Sequence, residues 1–359
     1  MLATFASLKG LLKLDKVDID NTIFLLHYKA TVIILIVFSL IVTSHQYIGD
    51  PIDCIAKEIP AKVMDTYCWI HSTYTVPNRM ATEVVGIDTS HPGVRPQRDG
   101  EEVKLHKYYQ WVCFVLFAQA ILFYLPRFLW KIWEGGKMKS LVLDLNCPII
   151  AENTKTERKT LLIDYFTSNL HSHNAYAIRF FICELLNLIN VIAQVYLIDR
   201  FLDGEFTTYG WDVLGLTATD PEYRVDPMSR VFPTVTKCSF HKFGVSGTVE
   251  RIDSLCVLPV NIVNEKIYVF LWFWFFLLGV LTALAMIYRL LTILAPPLRR
   301  YLLRSRAHLA SRREVDVVAH KCQIGDWFVL RRLGKNIEPL VYKEFISDLA
   351  CRFEGALPA

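Results

Sequence analysis

Four long apolar segments constrain this 359-residue chain more than any other feature of its sequence. A helix rises about 1.5 Å per residue and the hydrocarbon layer of a bilayer is about 30 Å thick, so about 20 apolar residues are needed to cross it. The second and fourth segments reach that length by themselves, whereas the first and third need their weakly polar flanks. We therefore predict four transmembrane helices, at residues 28–46, 108–130, 178–198 and 267–291.

Charged residues between the spans predict the side of the membrane that each segment faces. Directly after the fourth span, residues 289–313 hold seven Arg and no acidic residue. Segments rich in Lys and Arg remain on the cytoplasmic side. This rule assigns 25 of the 39 Lys and Arg residues to the inside, together with 16 of the 35 Asp and Glu residues, Glu184 included. The outside segments then hold the other 14 basic and 19 acidic residues. Both termini are then cytoplasmic. We expect cytoplasmic segments at 1–27, 131–177 and 292–359, and extracellular loops at 47–107 and 199–266.

The segments expected in the cytoplasm show helical periodicity. Pro339 suits the first position of a helix, and the apolar residues behind it recur on one face, at Leu340, Phe345, Ile346 and Leu349. A single four-helix bundle fills its own interior with side chains, so a wide pore needs several subunits around an axis. The expected fold class is an all-α membrane protein with four transmembrane helices per subunit, a helical cytoplasmic domain and assembly as a cyclic oligomer.

Nine cysteines agree with this topology. Cys54 and Cys68 lie in the first outer loop and Cys238 and Cys256 in the second, whereas the other five lie in spans or cytoplasmic segments, where thiols stay reduced. We therefore expect disulfide-linked extracellular loops. Four cysteines permit three pairings, and the sequence alone does not choose among them. The alternative is a zinc site, which lacks the CxxC motif or histidine cluster that zinc sites usually show.

Catalytic and cofactor-binding signatures are missing from the sequence. It contains no HExxH motif, phosphate-binding loop, dinucleotide-binding glycine pattern or GxSxG motif. The basic residues lie beside membrane spans and are not interleaved with stacking aromatics, so anionic membrane lipid is a better partner for them than nucleic acid. We predict a protein that is not an enzyme and that holds no cofactor and no metal.

Short motifs spread over nearly the whole chain resemble those of innexins, the gap-junction proteins of invertebrates. The most specific is Tyr-Tyr-Gln-Trp-Val at 108–112, at the start of the second span. The others are YIGDPIDC at 47–54, YCWIHST at 67–73, WEGG at 133–136, FPxVTKC at 232–238, NIVNEK at 261–266 and GDWF at 325–328. Two cysteines per outer loop also fit innexins and the related pannexins, whereas connexins carry three.

The resemblance implies a subunit of a large-pore channel at the plasma membrane. In that family eight subunits form a hemichannel, which docks with one in a neighbouring cell to make a gap junction that passes ions and small metabolites. Other innexins are then possible partners within the ring. Two alternatives are an undocked, pannexin-like release channel and a four-span adhesion or scaffold protein that conducts nothing. The outer loops lack an Asn-x-Ser/Thr glycosylation site, which favours docking, because a glycan would block close approach.

The resemblance also bears on the disulfides and the pore. A docking face needs both outer loops held as one surface, so we expect bridges between the loops, and the resemblance suggests the order Cys54–Cys256 and Cys68–Cys238. In the family, the N-terminal segment folds into the cytoplasmic mouth and the first span lines the passage. A surface-lying anchor helix is the alternative for this mildly amphipathic segment. The candidate pore residues are Met1, Leu2, Phe5, Leu8, Thr31, Ser39, Thr43 and Glu184.

Glu184 lies on a polar stripe of the third span, together with Arg179, Asn187, Asn190 and Gln194. Such a stripe is typical of hydrogen bonds or ion pairs between helices, and a pore wall is the second interpretation. An acidic group inside a span is usually paired or functional. Arg179 is five residues away on the helix and is a poor partner for Glu184, so the sequence predicts no partner for this carboxylate.

Overall fold

A computed structural model describes residues 17–77, 91–95, 101–142, 145, 152–215 and 226–355. In chain order its helices are α1 (Thr22–Tyr47), α2 (Ala61–His71), α3 (Val112–Glu134), α4 (Lys137–Val142), α5 (Glu152–Ser168), α6 (Asn174–Phe201), α7 (Phe206–Gly215), α8 (Pro227–Val231), α9 (Pro259–Leu294), α10 (Pro296–Arg306), α11 (Arg312–Lys321), α12 (Ile324–Asn336) and α13 (Pro339–Glu354). The strands are β1 (Asp53–Ile55), β2 (Thr73–Thr75), β3 (Lys104–His106), β4 (Val235–Phe243) and β5 (Val249–Val257).

Four of these helices, α1, α3, α6 and α9, are long and apolar enough to cross a membrane. Three of them extend beyond the predicted span at both ends, whereas α3 begins four residues later than predicted, after a 3₁₀ turn at Tyr108–Gln110, and ends four residues later. The 36 residues of α9 span about 54 Å at the usual helical rise, well beyond the thickness of the hydrocarbon layer. Hydropathy identifies only the part of a helix that suits lipid, so the polar ends of these helices are absent from the sequence-based prediction.

The first span contains an irregularity that the sequence did not predict. The Asn21 side chain caps its start by accepting a hydrogen bond from the Phe24 N–H at 2.7 Å. Residues Leu26–Thr31 then form a π-helical turn before regular α-helix resumes at Val32. A π turn inserts an extra residue and rotates the faces that follow it, and such turns are frequent at functional sites.

The described residues fall into two compact units, and each long helix contributes one part to each unit. The helical unit comprises the described residues of Met1–Thr31, Leu122–Asn190 and Gly279–Ala359. The disulfide unit comprises those of Val32–Ile121 and Val191–Leu278.

The helical unit has one aromatic-rich core. The Phe180 ring packs in it against those of Trp130 and Phe328, which belongs to α12, and apolar residues of α13, the last helix, complete the core. Both α11 and α12 begin with a capping box, formed by Ser311 with Glu314 and by Gln323 with Asp326. The expected face of α13 is buried at Phe345, Ile346 and Leu349, but Leu340, in the first turn, is exposed.

The disulfide unit contains a five-stranded antiparallel sheet with the strand order β1-β5-β4-β2-β3. Strands β1, β2 and β3 come from the first segment between spans, and β4 and β5 form a hairpin in the second. The expectation of an all-α protein therefore holds for the long helices and the C-terminal segment, but it misses this sheet.

Candidate functional site

Two disulfides join the two segments that contribute to the sheet. Cys54 on β1 lies directly opposite Cys256 on β5 and is bonded to it, with 4.0 Å between their Cα atoms. Cys68, near the end of α2, is bonded to Cys238 on β4, with Cα atoms 5.9 Å apart. All four cysteines are buried. These bonds fix the two segments to one another.

The sulfur atoms of Cys54, Cys68 and Cys256 lie within 4.8 Å of one another, a spacing that also suits a metal ion. Each of these sulfurs is part of a disulfide. Metals bind the thiolate form of cysteine, which a disulfide does not provide. The cluster is therefore a pair of adjacent bridges.

Helix α2 packs against the sheet through polar and aromatic contacts. The Asp65 carboxylate accepts a hydrogen bond from the Cys54 N–H at 2.7 Å, and the Tyr67 ring lies 4.6 Å from that of Phe240 on β4. At the far end of α2, the Gln110 side chain donates to the Trp69 carbonyl. Helix α2 is therefore held by contacts with β1, with β4 and with Gln110, as well as by its disulfide.

Apolar side chains are exposed to solvent at two places in this region. At the β4–β5 turn, Phe243, Val245 and Val249 are largely exposed, and so are Val63 and Ile70 on α2. Exposed apolar groups that cluster on a soluble surface mark contact sites for other proteins. The disulfide unit therefore offers a rigid surface that suits protein contact.

His106 shows how closely the sheet excludes water. Its Nε2 lies 2.8 Å from the hydroxyl of Thr75 on the neighbouring strand, and both residues are buried. Burial, with a smaller effect of Lys104, lowers the pKa of His106 to about 3. The ring is neutral at physiological pH and has a structural place between β2 and β3.

The predicted pore residues divide into two groups. Met1, Leu2, Phe5 and Leu8 lie outside the described residues. The other candidates on α1 make hydrogen bonds within the helix or to a neighbouring helix. The Thr31 hydroxyl donates to the Leu26 carbonyl and the Thr43 hydroxyl to the Ser39 carbonyl, both within α1. The Ser39 hydroxyl donates to the carbonyl of Cys113 on α3. Within one subunit, the hydroxyls of Thr31 and Ser39 are buried. Their part in a pore stays a prediction.

Glu184 is buried in the helical unit and has a partner that sequence reasoning missed. Its two carboxylate oxygens accept hydrogen bonds from Nε and Nη2 of Arg289, each at 2.7 Å, in a bidentate ion pair between α6 and α9. The Asn21 side chain donates to the same carboxylate at 2.5 Å. One signal was available: Arg289 is the first basic residue after the apolar core of the fourth span, and intramembrane acids usually pair with such a group.

His27, in the π-helical turn of α1, is a second polar residue that sequence reasoning missed. It is buried, and its Nε2 lies 2.8 Å from the hydroxyl of Thr282 on α9. Its ring also lies 6.0 Å from the ring of Phe123 on α3. Polar contacts of this kind stabilise the packing of helices in membranes.

Comparison with known proteins gives a consistent result. A model of the innexin family matches residues 20–353. The chain is 64% identical to innexin inx2 of Schistocerca americana over 356 residues, which are 99% of both proteins. It is 63% identical to innexin inx2 of Drosophila melanogaster over 99% of this chain and 97% of that protein. It is 50% identical to innexin shaking-B of Drosophila melanogaster over 98% of this chain and 95% of that protein.

Proposed function

The chain belongs to the innexin family of gap-junction proteins, and from that premise we propose that it forms hemichannels that dock with those of a neighbouring cell. The complete channel passes ions and small metabolites between the two cytoplasms. The ring contains eight copies of the chain if it follows the family pattern, and other innexins are candidates to share it.

The observation that carries this proposal is the disulfide-tied sheet. A docking face must keep its shape without lipid around it, and a segment of about 60 residues buries only a small core by itself. The bonds Cys54–Cys256 and Cys68–Cys238, together with β-pairing between the segments, hold them as one surface. The exposed apolar residues of the hairpin and of α2 supply the contact area.

We infer the orientation from charge and from redox chemistry. Disulfides persist in oxidising compartments, which supports an extracellular position for the sheet. Helix α10, which follows the fourth span, carries Arg299, Arg300, Arg304 and Arg306 without an acidic residue. The positive-inside rule supports a cytoplasmic position for α10 and for both termini.

For the pore, we propose that residues 1–14 line the cytoplasmic mouth and that α1 lines the passage. The Glu184 carboxylate is engaged by Arg289 and Asn21, which supports a structural part for it within the subunit. Deletion of residues 1–14 is expected to change single-channel conductance while assembly and surface delivery persist. Unaltered single-channel conductance would contradict the pore-mouth proposal and favour a surface anchor.

A dye experiment separates the proposal from its two alternatives. The chain is expressed by itself in cells that lack other gap-junction proteins, and a small anionic dye is injected into one cell of a contacting pair. We expect dye transfer to the neighbour. An undocked release channel would load isolated cells with external dye without transferring it between cells, and a scaffold protein would do neither. Either of these two outcomes would overturn docking.

A further inference from the structure

The helical unit contains a cavity of about 610 Å³ that the channel function does not explain. It lies between the start of α1, α6, α9, α10 and α12. Its volume falls in the range of small-molecule and lipid-headgroup sites. The residues that line it are of two kinds, basic and apolar.

Part of the cavity lining is strongly basic. Glu184 is the one acidic residue among the groups that line the cavity. The five basic residues that line it are Arg289, Arg306, Arg331, Arg332 and Lys335. Glu184 neutralises Arg289, and Asp18 lies 2.7 Å from Lys335 at a half-exposed position. Within the described part of the chain, the remaining three guanidinium groups have no carboxylate partner.

Arg331 and Arg332 are instead held by neutral groups. Arg331 donates to the Tyr288 hydroxyl at 2.5 Å and lies over the Trp327 ring. Arg332 donates to the Asp20 carbonyl at 2.6 Å and lies over the rings of Phe180 and Phe328. Loss of hydration, with the repulsion of nearby Arg289, lowers the pKa of Arg332 to about 10, although the carboxylates of Glu184 and Asp20 act in the opposite direction. The two guanidinium groups are fixed in place, and neither makes a direct ion pair with a carboxylate among the described residues.

Another part of the lining is apolar. Leu281 is three and four residues from Leu284 and Ala285, and Tyr288 is four and three residues from the same pair, so the four share one face of α9. Leu302 of α10 continues this surface. Leu284 is largely exposed in the single chain. A ligand that matches this lining must therefore carry both a negative charge and hydrocarbon.

We propose that this cavity binds an anionic phospholipid, with its phosphate headgroup at Arg306, Arg331 and Arg332 and an acyl chain along the α9 face. Guanidinium groups bind phosphate through paired, charge-assisted hydrogen bonds. Basic pockets between transmembrane helices on the cytoplasmic side are typical sites for lipid headgroups. The apolar residues favour a lipid over free phosphate, because free phosphate has no hydrocarbon to pack against them.

Native mass spectrometry of the full-length, delipidated protein tests the proposal. The probes are phosphatidic acid and phosphatidylcholine with the same acyl chains. We expect phosphatidic acid to bind more tightly, and Arg306→Gln/Arg331→Gln to weaken it by about tenfold. The matched control, Arg300→Gln/Arg312→Gln, removes two exposed charges that do not line the cavity and should change binding by less than about twofold. Equal binding of both lipids, or equal losses in both double variants, would overturn the proposal.

A second pair of variants tests the apolar wall without changing charge. Leu284→Trp is expected to block the acyl path and reduce phosphatidic acid binding, whereas Ile287→Trp, exposed on the same helix but away from the cavity, is expected to leave it intact. Displacement of phosphatidic acid by an equal concentration of glycerol 3-phosphate would show a soluble-anion site and contradict a lipid. The same spectra report the assembled mass, so a misfolded variant is visible. The measurement needs no conductance, so its failure is distinct from failure of the channel proposal.

Discussion

The pair formed by Glu184 and Arg289 shows how one buried contact can organise a membrane subunit. Both side chains are buried, and the guanidinium also lies 4.6 Å from the ring centroid of Phe181. Two charges in such a setting are stable only together, because each compensates for the lost hydration of the other. The contact also reaches the start of α1 through Asn21, whose side chain both donates to Glu184 and caps the helix.

Glu184→Gln is therefore expected to destabilise the protein, because it leaves Arg289 buried without a counter-charge. Removing one partner of a buried ion pair costs about 3–5 kcal/mol. Thermal unfolding of the purified protein, followed by size-exclusion chromatography, measures the loss, and the exposed Glu157→Gln serves as the control. Wild-type stability combined with altered ion selectivity would show instead that Glu184 faces a pore.

Asp326 is a second buried carboxylate, in the helical unit. Burial opposes its ionisation, but hydrogen bonds from His173 and from the N–H groups of Gln323 and His171 outweigh that effect and lower its pKa. A lowered carboxyl pKa stabilises the folded state above the ordinary value of about 4, and this contribution is lost as the pH falls through the lower folded value.

Asp326→Asn should remove that acid-dependent contribution. Hydrogen exchange of the α12 amides between about pH 5 and pH 3 is the measurement, with the rates corrected for intrinsic exchange. In the wild-type protein, we expect the exchange protection of α12 to fall as the pH approaches 3. In Asp326→Asn, we expect protection to be lower at pH 5 and to change less with pH. The same slope in both proteins would contradict the assignment. The exposed Asp164→Asn is the control for a change in surface charge.

At the scale of elements, the sequence predicts best what depends on neighbouring residues. The four long helices are predicted because hydropathy is a local property, and α13 is predicted because its apolar positions repeat every three to four residues. The sheet is not predicted. Strands β1, β2 and β3 have only three residues each, and β1 pairs with β5, about 200 residues further along the chain. Pairing over such a distance leaves no local periodicity to detect.

The same limit explains the charged site. The sequence marks Glu184 as unusual, yet Arg289 becomes its partner only because α9 continues to Leu294 and packs against α6. The cavity beside this pair combines residues from five helices. The basic stretch after the fourth span indicates lipid contact in general, but only the fold brings Arg306 and Arg331 to one pocket.

The disulfides yield a prediction at this scale. Cys68→Ser, Cys238→Ser and the double variant should lose the same stability, about 3–5 kcal/mol each, because all three remove one bond. Thermal unfolding measures this, and Cys351→Ser, which changes a free thiol, is the control. Additive losses would show that the two cysteines do not share a bond. Non-reducing peptide mapping provides an independent check on both pairs.

The whole molecule combines four helices long and apolar enough to cross a membrane with a sheet that two disulfides cross-link. The long helices alone fit many membrane proteins. The disulfide-tied sheet, with apolar side chains exposed at its turn, is the feature that fits contact between cells. Family membership identifies the subunit as one of a gap-junction channel. We propose that the sheet serves the docking of two such channels.

Junctional conductance between two voltage-clamped cells tests this central claim most directly. Both cells lack other gap-junction proteins, and surface labelling confirms that the chain reaches the plasma membrane. The account predicts conductance when both cells express the chain and none when only one does, because each cell must supply a hemichannel. Absence of conductance in pairs where both cells carry the chain at their surface would contradict it.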